Sequence, residues 1–464
     1  GSFWSRGKAA RRSPPRFLAV EDVKPGRREN GVQNATLWRG LLGLENAVVE
    51  GVEFDEDGGV LVASVRPSKG KRNRCGQCPR RCPSYDAGSG RRRWRALDLG
   101  SVQVFVEADA PRVTCRDHGV VVASVPWARH DAGHTRAFDE QVAWLATKTS
   151  KTAVTELMRV AWRTVGSIIE RVWDDTEGLF DRFADLTRIG IDEISYKRGH
   201  KYLTVVVDHG SGRLVWAAPG RDTATLTAFF DALGEDRCAL ITHVSADGAS
   251  WIANAVRGKC PNAILCADPF HIVKWATDAL DTVRRQTWTA VRKQAKTNDA
   301  RRPRGRPRSD APARPDTANA TGIKRCRYAL LRNPDTLSCK QVIQLDWVVR
   351  THPDLARAYY LKEGLRVIFK LPLDEATEAL DKWISWARRS RIDAFVKLQR
   401  SIVAHRDAIL ASIEHGLSNG RIESMNTKIR LITRIAFGFA SPDALIALAM
   451  LSLGGHRPAL PGRK

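Results

Sequence analysis

Arg188-Ile189-Gly190-Ile191-Asp192-Glu193-Ile194 is an apolar run that reaches an acid, and its reading decides the fold. Taken as a buried strand ending at Asp192, it opens a series. Leu203-Thr204-Val205-Val206-Val207-Asp208 and Arg213-Leu214-Val215-Trp216-Ala217 flank His209-Gly210-Ser211-Gly212, which reads as a hairpin turn. A helix expected from about Thr223 to Leu233 leads to the strand Ala239-Leu240-Ile241-Thr242-His243-Val244-Ser245. That strand runs into Ala246-Asp247-Gly248. Ala263-Ile264-Leu265-Cys266-Ala267 is a further strand, ending at Asp268. Three adjacent strands, a helix, a strand, a helix and a strand describe a mixed sheet with flanking helices.

This order is the ribonuclease-H-like arrangement, and it gives the acids a purpose. Moving phosphodiester bonds with metal ions needs two hard cations about 3.5–4 Å apart, held by oxygen ligands on a rigid frame. Asp192 and Asp247 end strands that are neighbours in such a sheet, so they are the first two candidates. A third acid has to come from a helix packed across that edge. Ser418-Asn419-Gly420 can cap a helix start, which places Glu423 in or near the first turn. Asn426, Lys428 and Arg430 follow on a polar, basic run expected to touch phosphates. A single Asp at a strand end is usually a turn residue or a cap, so the weight lies in the arrangement. Glu193 points to the opposite face if the pleat continues. Asp268 and His271 end another strand and are expected to orient groups near the site. Asp208 reads as a hairpin residue.

Upstream of the sheet, residues 135–175 read as helices. Phe138, Val142, Leu145, Val154, Leu157 and Met158 recur at helical spacing. A helix over Lys151–Met158, a short turn and a helix over Arg163–Val172 give helix-turn-helix spacing, with Arg163, Thr164, Ser167 and Arg171 expected to face a groove. Ordinary bundles contain such pairs too. Further upstream lie Cys75-Gly76-Gln77-Cys78 and Cys115-Arg116-Asp117-His118, two pairs with ligands three apart. Their spacing suits a closed, structural tetrahedral zinc site, with buried unliganded cysteines as the alternative reading and Cys82 as a possible substitute ligand. Between the pairs lies Arg91-Arg92-Arg93-Trp94-Arg95, of which Arg92, Arg93 and Arg95 are expected to face DNA. The strand Val102-Gln103-Val104-Phe105-Val106-Glu107 follows. Val48 to Val65 alternates around Asp57-Gly58-Gly59, a hairpin signal, and Leu37–Leu44 reads as a short apolar helix. Gly1 and Ser2 look like a cloning scar at the head of a basic leader.

Downstream of about residue 272 the chain reads as helical to its end. Within this half, Arg301-Arg302-Pro303-Arg304-Gly305-Arg306-Pro307-Arg308 opens a Pro- and Ala-rich stretch that cannot pack a core. It reads either as a solvated linker or as an AT-hook whose Arg304 and Arg306 enter a narrow minor groove.

Lys and Arg outnumber Asp and Glu by 75 to 51, a formal charge of +24 that would gather a polyanion, and nucleic acid is the usual one. No apolar run of about 18 residues appears, so a membrane-spanning class is excluded. The odd count of nine cysteines, four of them clustered, points to metal binding in a reducing compartment rather than a disulfide framework.

Taken in order, these motifs resemble the ISL-three group of bacterial insertion-sequence transposases, in the DDE class. The resemblance rests on the two zinc pairs, on Arg92-Arg93-Trp94-Arg95 before Leu97-Asp98-Leu99-Gly100, and on Ile191-Asp192-Glu193. It continues through Ser245-Ala246-Asp247-Gly248, Asp268-Pro269-Phe270-His271 and Ser418-Asn419-Gly420-Arg421-Ile422-Glu423. His118 stands where relatives often carry Cys, an equally good zinc ligand. The resemblance implies a transposase that binds terminal inverted repeats and performs metal-dependent cleavage and strand transfer. Asp192, Asp247 and Glu423 would be its catalytic acids on Mg2+ or Mn2+, with structural Zn2+ and with Asp268 and His271 in support. A catalytically retired transposase serving as a DNA-binding regulator is the alternative.

The expected class is therefore α+β and multidomain. A basic mobile leader spans 1–35, a β-rich zinc-binding module 36–128, and a helix-turn-helix region 129–183. A ribonuclease-H-like catalytic domain spans 184–282, and an all-α insertion spans 283–405 with its basic linker at 299–320. The catalytic domain resumes over 406–455 with Glu423, and 456–464 is a tail. Expected partners are element-end DNA, target DNA and a second copy on DNA, in a bacterial cytoplasm at the nucleoid.

Overall fold

The computed structural model describes residues 30–78, 80–300, 315–439 and 441–463. The chain divides into two compact units, Gly1–Phe138 and Asp139–Lys464. The leader expected over 1–35 lies almost wholly outside the described residues.

In the first unit, α1 (Asn30–Leu41) precedes β1 (Ala47–Asp55) and β2 (Val60–Pro67). The helix expected over Leu37–Leu44 is the end of α1, and it stops at Leu41 because Gly43, at φ +60, turns the chain. The β1–β2 hairpin forms as its sequence predicts. Asp55 Oδ1 accepts the Gly58 N–H at 3.1 Å, and Gly59 takes the positive φ that the turn requires. After β3 (Ser84–Asp86) come β4 (Arg91–Arg95), β5 (Gln103–Asp109), β6 (Arg112–Cys115) and β7 (Gly119–Val122). Two sheets result, in the orders β1-β2-β5-β4 and β3-β6-β7. Along β5 the alternation is visible as burial of Val104, Val106 and Ala108, which join Trp94, Trp127, Ala63 and Val65 in the larger core.

Helices α2 (Arg136–Ala146), α3 (Lys151–Met158) and α4 (Trp162–Glu177) lead into the strands of the second unit. Ser150 caps α3 by accepting the Ala153 N–H, and Arg159, in the left-handed region, closes it. The next helix begins at Trp162, so α3 and α4 keep helix-turn-helix spacing. The buried face of α4 carries Val165, Ile168, Ile169, Val172 and Trp173. One expected groove-facing residue is engaged elsewhere. Arg171 points inward, with Nε 3.3 Å from Oδ2 of Asp139, whose side chain is fully buried. Arg171→Ala takes a cationic partner from a desolvated carboxylate, so we expect a loss of about 3 kcal/mol, read as a lower denaturation midpoint at unchanged slope.

The main sheet contains β8 (Arg188–Lys197), β9 (Lys201–Asp208), β10 (Leu214–Pro219), β11 (His243–Ala246) and β12 (Ile264–Ala267). Its order is β10-β9-β8-β11-β12, with β8, β11 and β12 parallel and β9 antiparallel to both its neighbours. Helices α5 (Thr223–Leu233) and α7 (Ser250–Lys259) cover one face, burying Leu226, Phe229, Phe230, Ile252 and Val256 against Ile189, Ile191, Val206 and Val244. Two expectations change here. The acid Asp192 does not end its strand, because β8 continues to Lys197 along β9. The apolar run from Ala239 is not all strand: Ala239 and Leu240 finish α6 (Glu235–Leu240), and β11 begins only at His243.

Beyond β12, the described elements are all helical: α8 (Pro269–Ala300), α9 (Pro315–Arg325), α10 (Arg327–Leu331), α11 (Cys339–Thr351), α12 (Pro353–Ile368), α13 (Leu373–Arg389), α14 (Asp393–Ala404), α15 (Arg406–Glu414), α16 (Gly420–Ile435) and α17 (Pro442–Leu453). Ile272, Leu280, Ile323, Leu355, Leu365, Trp383, Phe395 and Ile402 form a core of their own among α8 to α15. The linker expected over 299–320 is shorter at its far end, since α9 starts at Pro315 and Ala320 is buried. Arg304 and Arg306 lie outside the described residues. Among the described residues, no helix is long and apolar enough to cross a membrane.

Candidate active site

Strand register assembles the acids. Ala246 of β11 pairs with Ile191 of β8 on one side and with Ala267 of β12 on the other. Asp192, Asp247 and Asp268 are therefore the next residues along three neighbouring parallel strands. There β11 and β12 stop while β8 runs on, which opens the sheet edge beside Asp192.

Helix α16 crosses this edge. Gly190 is what lets it approach, since a Cβ there would run into the Ile422 side chain. Asn426 is 2% exposed, and its Nδ2 donates to Asp192 Oδ2 at 2.7 Å. The other Asp192 oxygen accepts the Glu193 N–H at 2.7 Å. Asn426 thus corrects its expected role: it faces the sheet rather than a phosphate. Glu423 sits one turn earlier on the same helix, half-buried, and Lys428 and Arg430 are exposed. Gly190→Ala should lift α16, and Glu423 with it, from β8. We expect a large loss of DNA cleavage, with a thermal midpoint lowered by the overpacking, about 1–3 kcal/mol.

A buried polar chain fastens the start of α16. His209 Nε2 meets Ser245 Oγ at 2.7 Å, and Ser245 Oγ donates to Asn419 Oδ1 at 2.6 Å. The Asn419 N–H donates to Asp268 Oδ1 at 3.1 Å, and the His271 ring donates to Asp268 Oδ2 at 2.7 Å. Asn419 and Ser245 are fully buried, and Asp268 is 2% exposed. Arg421 adds an Nη1 hydrogen bond to the His209 carbonyl. Sequence reasoning placed Asp268 and His271 here but missed His209, Ser245 and Arg421, and took Asn419 for a simple cap. The available signal was Ser245, a hydroxyl inside an apolar strand just ahead of an acid.

Electrostatics mark the same place. Burial pushes the Asp192 carboxyl up to about 6; the Glu193 N–H and His271 oppose this, while Asp247 and Asp268 add to it. Burial acts to raise Asp268 as well, but the His271 ring and the Asn419 N–H outweigh it and hold the group below its ordinary value. His271 is raised in turn by its hydrogen bond to Asp268. Glu193 turns to Arg221, whose Nε lies 3.3 Å from Oε2. Asp208 is the hairpin residue expected, accepting from Gly210 and Ser211.

The donor set around Asp192 and Asp247 consists of hard oxygens, and Asn426 Oδ1 and Glu193 Oε1 are buried without hydrogen-bond partners. Crowded, desolvated acids with spare oxygens fit a divalent cation. They are less tightly gathered than the zinc ligands: among the described residues, Cys75, Cys78, Cys115 and His118 form the group whose ligand atoms all lie within 4.8 Å.

In that quartet Cys78 Sγ and Cys115 Sγ are 3.7 Å apart, and His118 Nδ1 is 3.4 Å from Cys115 Sγ and 3.6 Å from Cys75 Sγ. A tetrahedron with zinc–sulfur bonds of about 2.3 Å has edges of roughly 3.8 Å, so the quartet fits zinc. The Asp117 N–H, followed by the His118 ring, holds the Cys115 thiol down to about 6, toward the metal-binding thiolate. Cys82, the possible substitute ligand, lies outside the quartet, with its Sγ facing the Arg80 carbonyl at 3.5 Å.

The expected DNA contacts divide. Arg163 and Ser167 are exposed on α4, with Thr164 half-buried. Arg93 is exposed and pairs with Glu107. Arg92 is anchored on the Ala132 carbonyl at 2.8 Å and over the Trp94 ring. Arg95 is a correction: it is 7% exposed, paired with Asp98 and stacked on Phe105 and Phe138, so its guanidinium belongs to the core.

Comparison with known proteins gives three family matches. A model described as a transposase, of the DDE ISL3 type, matches residues 189–449. The helix-turn-helix domain of transposase family ISL3 matches 123–173, and the zinc-finger of transposases IS204, IS1001, IS1096 and IS1165 matches 71–118. A transposase for insertion sequence element IS1557 from Mycobacterium tuberculosis is 59% identical over 437 residues, which is 93% of this chain and 98% of the relative. A transposase for IS1001 from Bordetella parapertussis is 27% identical over 419 residues, 88% of this chain and 95% of the relative.

Proposed function

This chain belongs to the ISL3 family of transposases, and on that premise we propose which of its residues cut and join DNA. It is an insertion-sequence transposase with a zinc-finger region, a helix-turn-helix domain and a DDE catalytic domain. Asp192, Asp247 and Glu423 are the catalytic acids in our reading. The observation that carries it is the placement of Asp192 and Asp247 one residue past the paired row Ile191–Ala246, with the helix of Glu423 tied to Asp192.

The sheet order and the intervening helices support a ribonuclease-H-like domain with an all-α insertion. Mg2+ or Mn2+ bound by the acids would supply Lewis-acid stabilisation of the attacking and leaving oxygens. The protein's share is to fix the acids in place. Asn426 and the Glu193 N–H orient Asp192, and the Asp268–His271 pair, through Asn419, fixes where α16 begins. The open edge beside Asp192 leaves room for a strand of the substrate.

Terminal inverted repeats are the DNA in this reading, approached by Arg163, Thr164 and Ser167 of α4, with Arg93, Lys428 and Arg430 as phosphate contacts. Two ends must meet before joining, so a homodimer on DNA is the working assembly. Arg163→Ala should weaken repeat binding by about 1–3 kcal/mol if it reads a base edge, and less if it touches phosphate. A competition assay against scrambled duplex checks this. The function itself is tested by incubating the protein with Mg2+ or Mn2+ and labelled element ends. Nicks at the repeat followed by transfer of the 3′-hydroxyl support it. Binding without any cutting would favour a retired regulator, and preference for four-way junctions a junction nuclease.

A further inference from the structure

Asn426 is buried on a helix whose other inward residues, Ile422, Met425 and Ile429, are apolar. A side-chain amide there needs partners at both ends, and only one end has one. Its Nδ2 donates to Asp192 Oδ2, which fixes the amide's orientation, because the reverse would set two oxygens against each other. Its Oδ1 then has no hydrogen-bond partner among the described residues. A buried unsatisfied acceptor costs about 1–3 kcal/mol, and an apolar residue at this position would avoid that. The position is not arbitrary. Asn426 lies three residues after Glu423, hence on the same helical face, and directly on Asp192. Hard divalent cations accept amide oxygens alongside carboxylates.

We propose that Asn426 belongs to the metal-binding set, orienting Asp192 through Nδ2 and presenting Oδ1 as a further oxygen ligand for the divalent cation. This rests on the reading of Asp192, Asp247 and Glu423 as the metal site. It also makes α16 contribute two residues to the centre, Glu423 and Asn426, one turn apart.

The test counts free Mn2+ by electron paramagnetic resonance during titration of the full-length, zinc-loaded protein, with folding followed by thermal melting. Asn426→Ala should weaken Mn2+ binding at least tenfold. Asn426→Asp, nearly isosteric and still offering an oxygen, should bind within about threefold of the parent. Asn426→Ala binding within twofold of the parent overturns the proposal. Asn426→Asp binding as weakly as Asn426→Ala, while folded, overturns the ligand role. Should the alanine variant not fold, the aspartate variant carries the test by the same criterion. Asp192→Asn separates the two levels. If it leaves Mn2+ binding unchanged, the reading of the acids fails; if it abolishes binding while Asn426→Ala does not, only this inference fails.

Discussion

Asp247→Asn should abolish strand cleavage and transfer while leaving repeat binding intact. The change is isosteric and removes one anionic oxygen donor from the sheet edge. Asp247 is half-buried, and its Oδ1 accepts the Ala249 N–H at 3.2 Å, a bond the amide oxygen of Asn can keep. The fold therefore has little reason to change. What is lost is charge: a neutral amide at a ligand position forfeits several kcal/mol of cation binding and of transition-state stabilisation. A rate at least a thousandfold lower, about 4 kcal/mol, is expected in an end-cleavage assay with Mg2+. Electrophoretic binding to repeat DNA should stay within about threefold, because Arg163 and Ser167 stand on α4. A cleavage rate within tenfold of the parent would remove Asp247 from the acids.

Removing zinc should have an equally large effect, on folding. Among the described residues, the β3-β6-β7 sheet has a core of Cys75, Cys82, Val113 and Cys115, with Cys78, Val121 and Ala123 packed partly against it. So few apolar side chains cannot offset the entropy of ordering the segment. Structural zinc contributes about 10–16 kcal/mol in small modules, more than the usual margin of a whole domain. Cys115→Ser, or a strong chelator, should release the bound metal and open residues 71–125 to protease. Elemental analysis should find one zinc in the parent and none in the variant. A protease-resistant segment without metal would show that the cysteines are simply packed.

The sequence was legible wherever a local pattern sets the structure. The β1–β2 hairpin follows from its Asp-Gly-Gly turn. Helices α3 and α5 occupy the stretches expected for them, and both zinc pairs meet. Strand ends were less legible. Beyond Asp192, β8 carries Ser195 and Lys197, which an apolar pattern does not extend to but which β9 pairs all the same. Ala239 and Leu240 belong to a short apolar run that fits a helix as well as a strand.

Buried polar residues were the least legible, since each is drawn inward by a distant partner. Arg171 answers Asp139, Arg95 packs on Phe105 and Phe138, and Asn426 answers Asp192 across most of the second unit. Exposure of a charged residue is the usual expectation from sequence, and these exceptions depend on contacts that no local pattern carries. Glu423 has the same difficulty. Its capped helix was readable, but its seat on Gly190 through Ile422 was not.

The central claim is that Asp192, Asp247 and Glu423 form one divalent-metal centre. Its most direct measurement is anomalous scattering from Mn2+ in crystals of the protein bound to its own element end. The account predicts manganese peaks in contact with carboxyl oxygens of all three acids, beside the scissile phosphate. Manganese held elsewhere, or with Glu423 turned away from the metal, would contradict it.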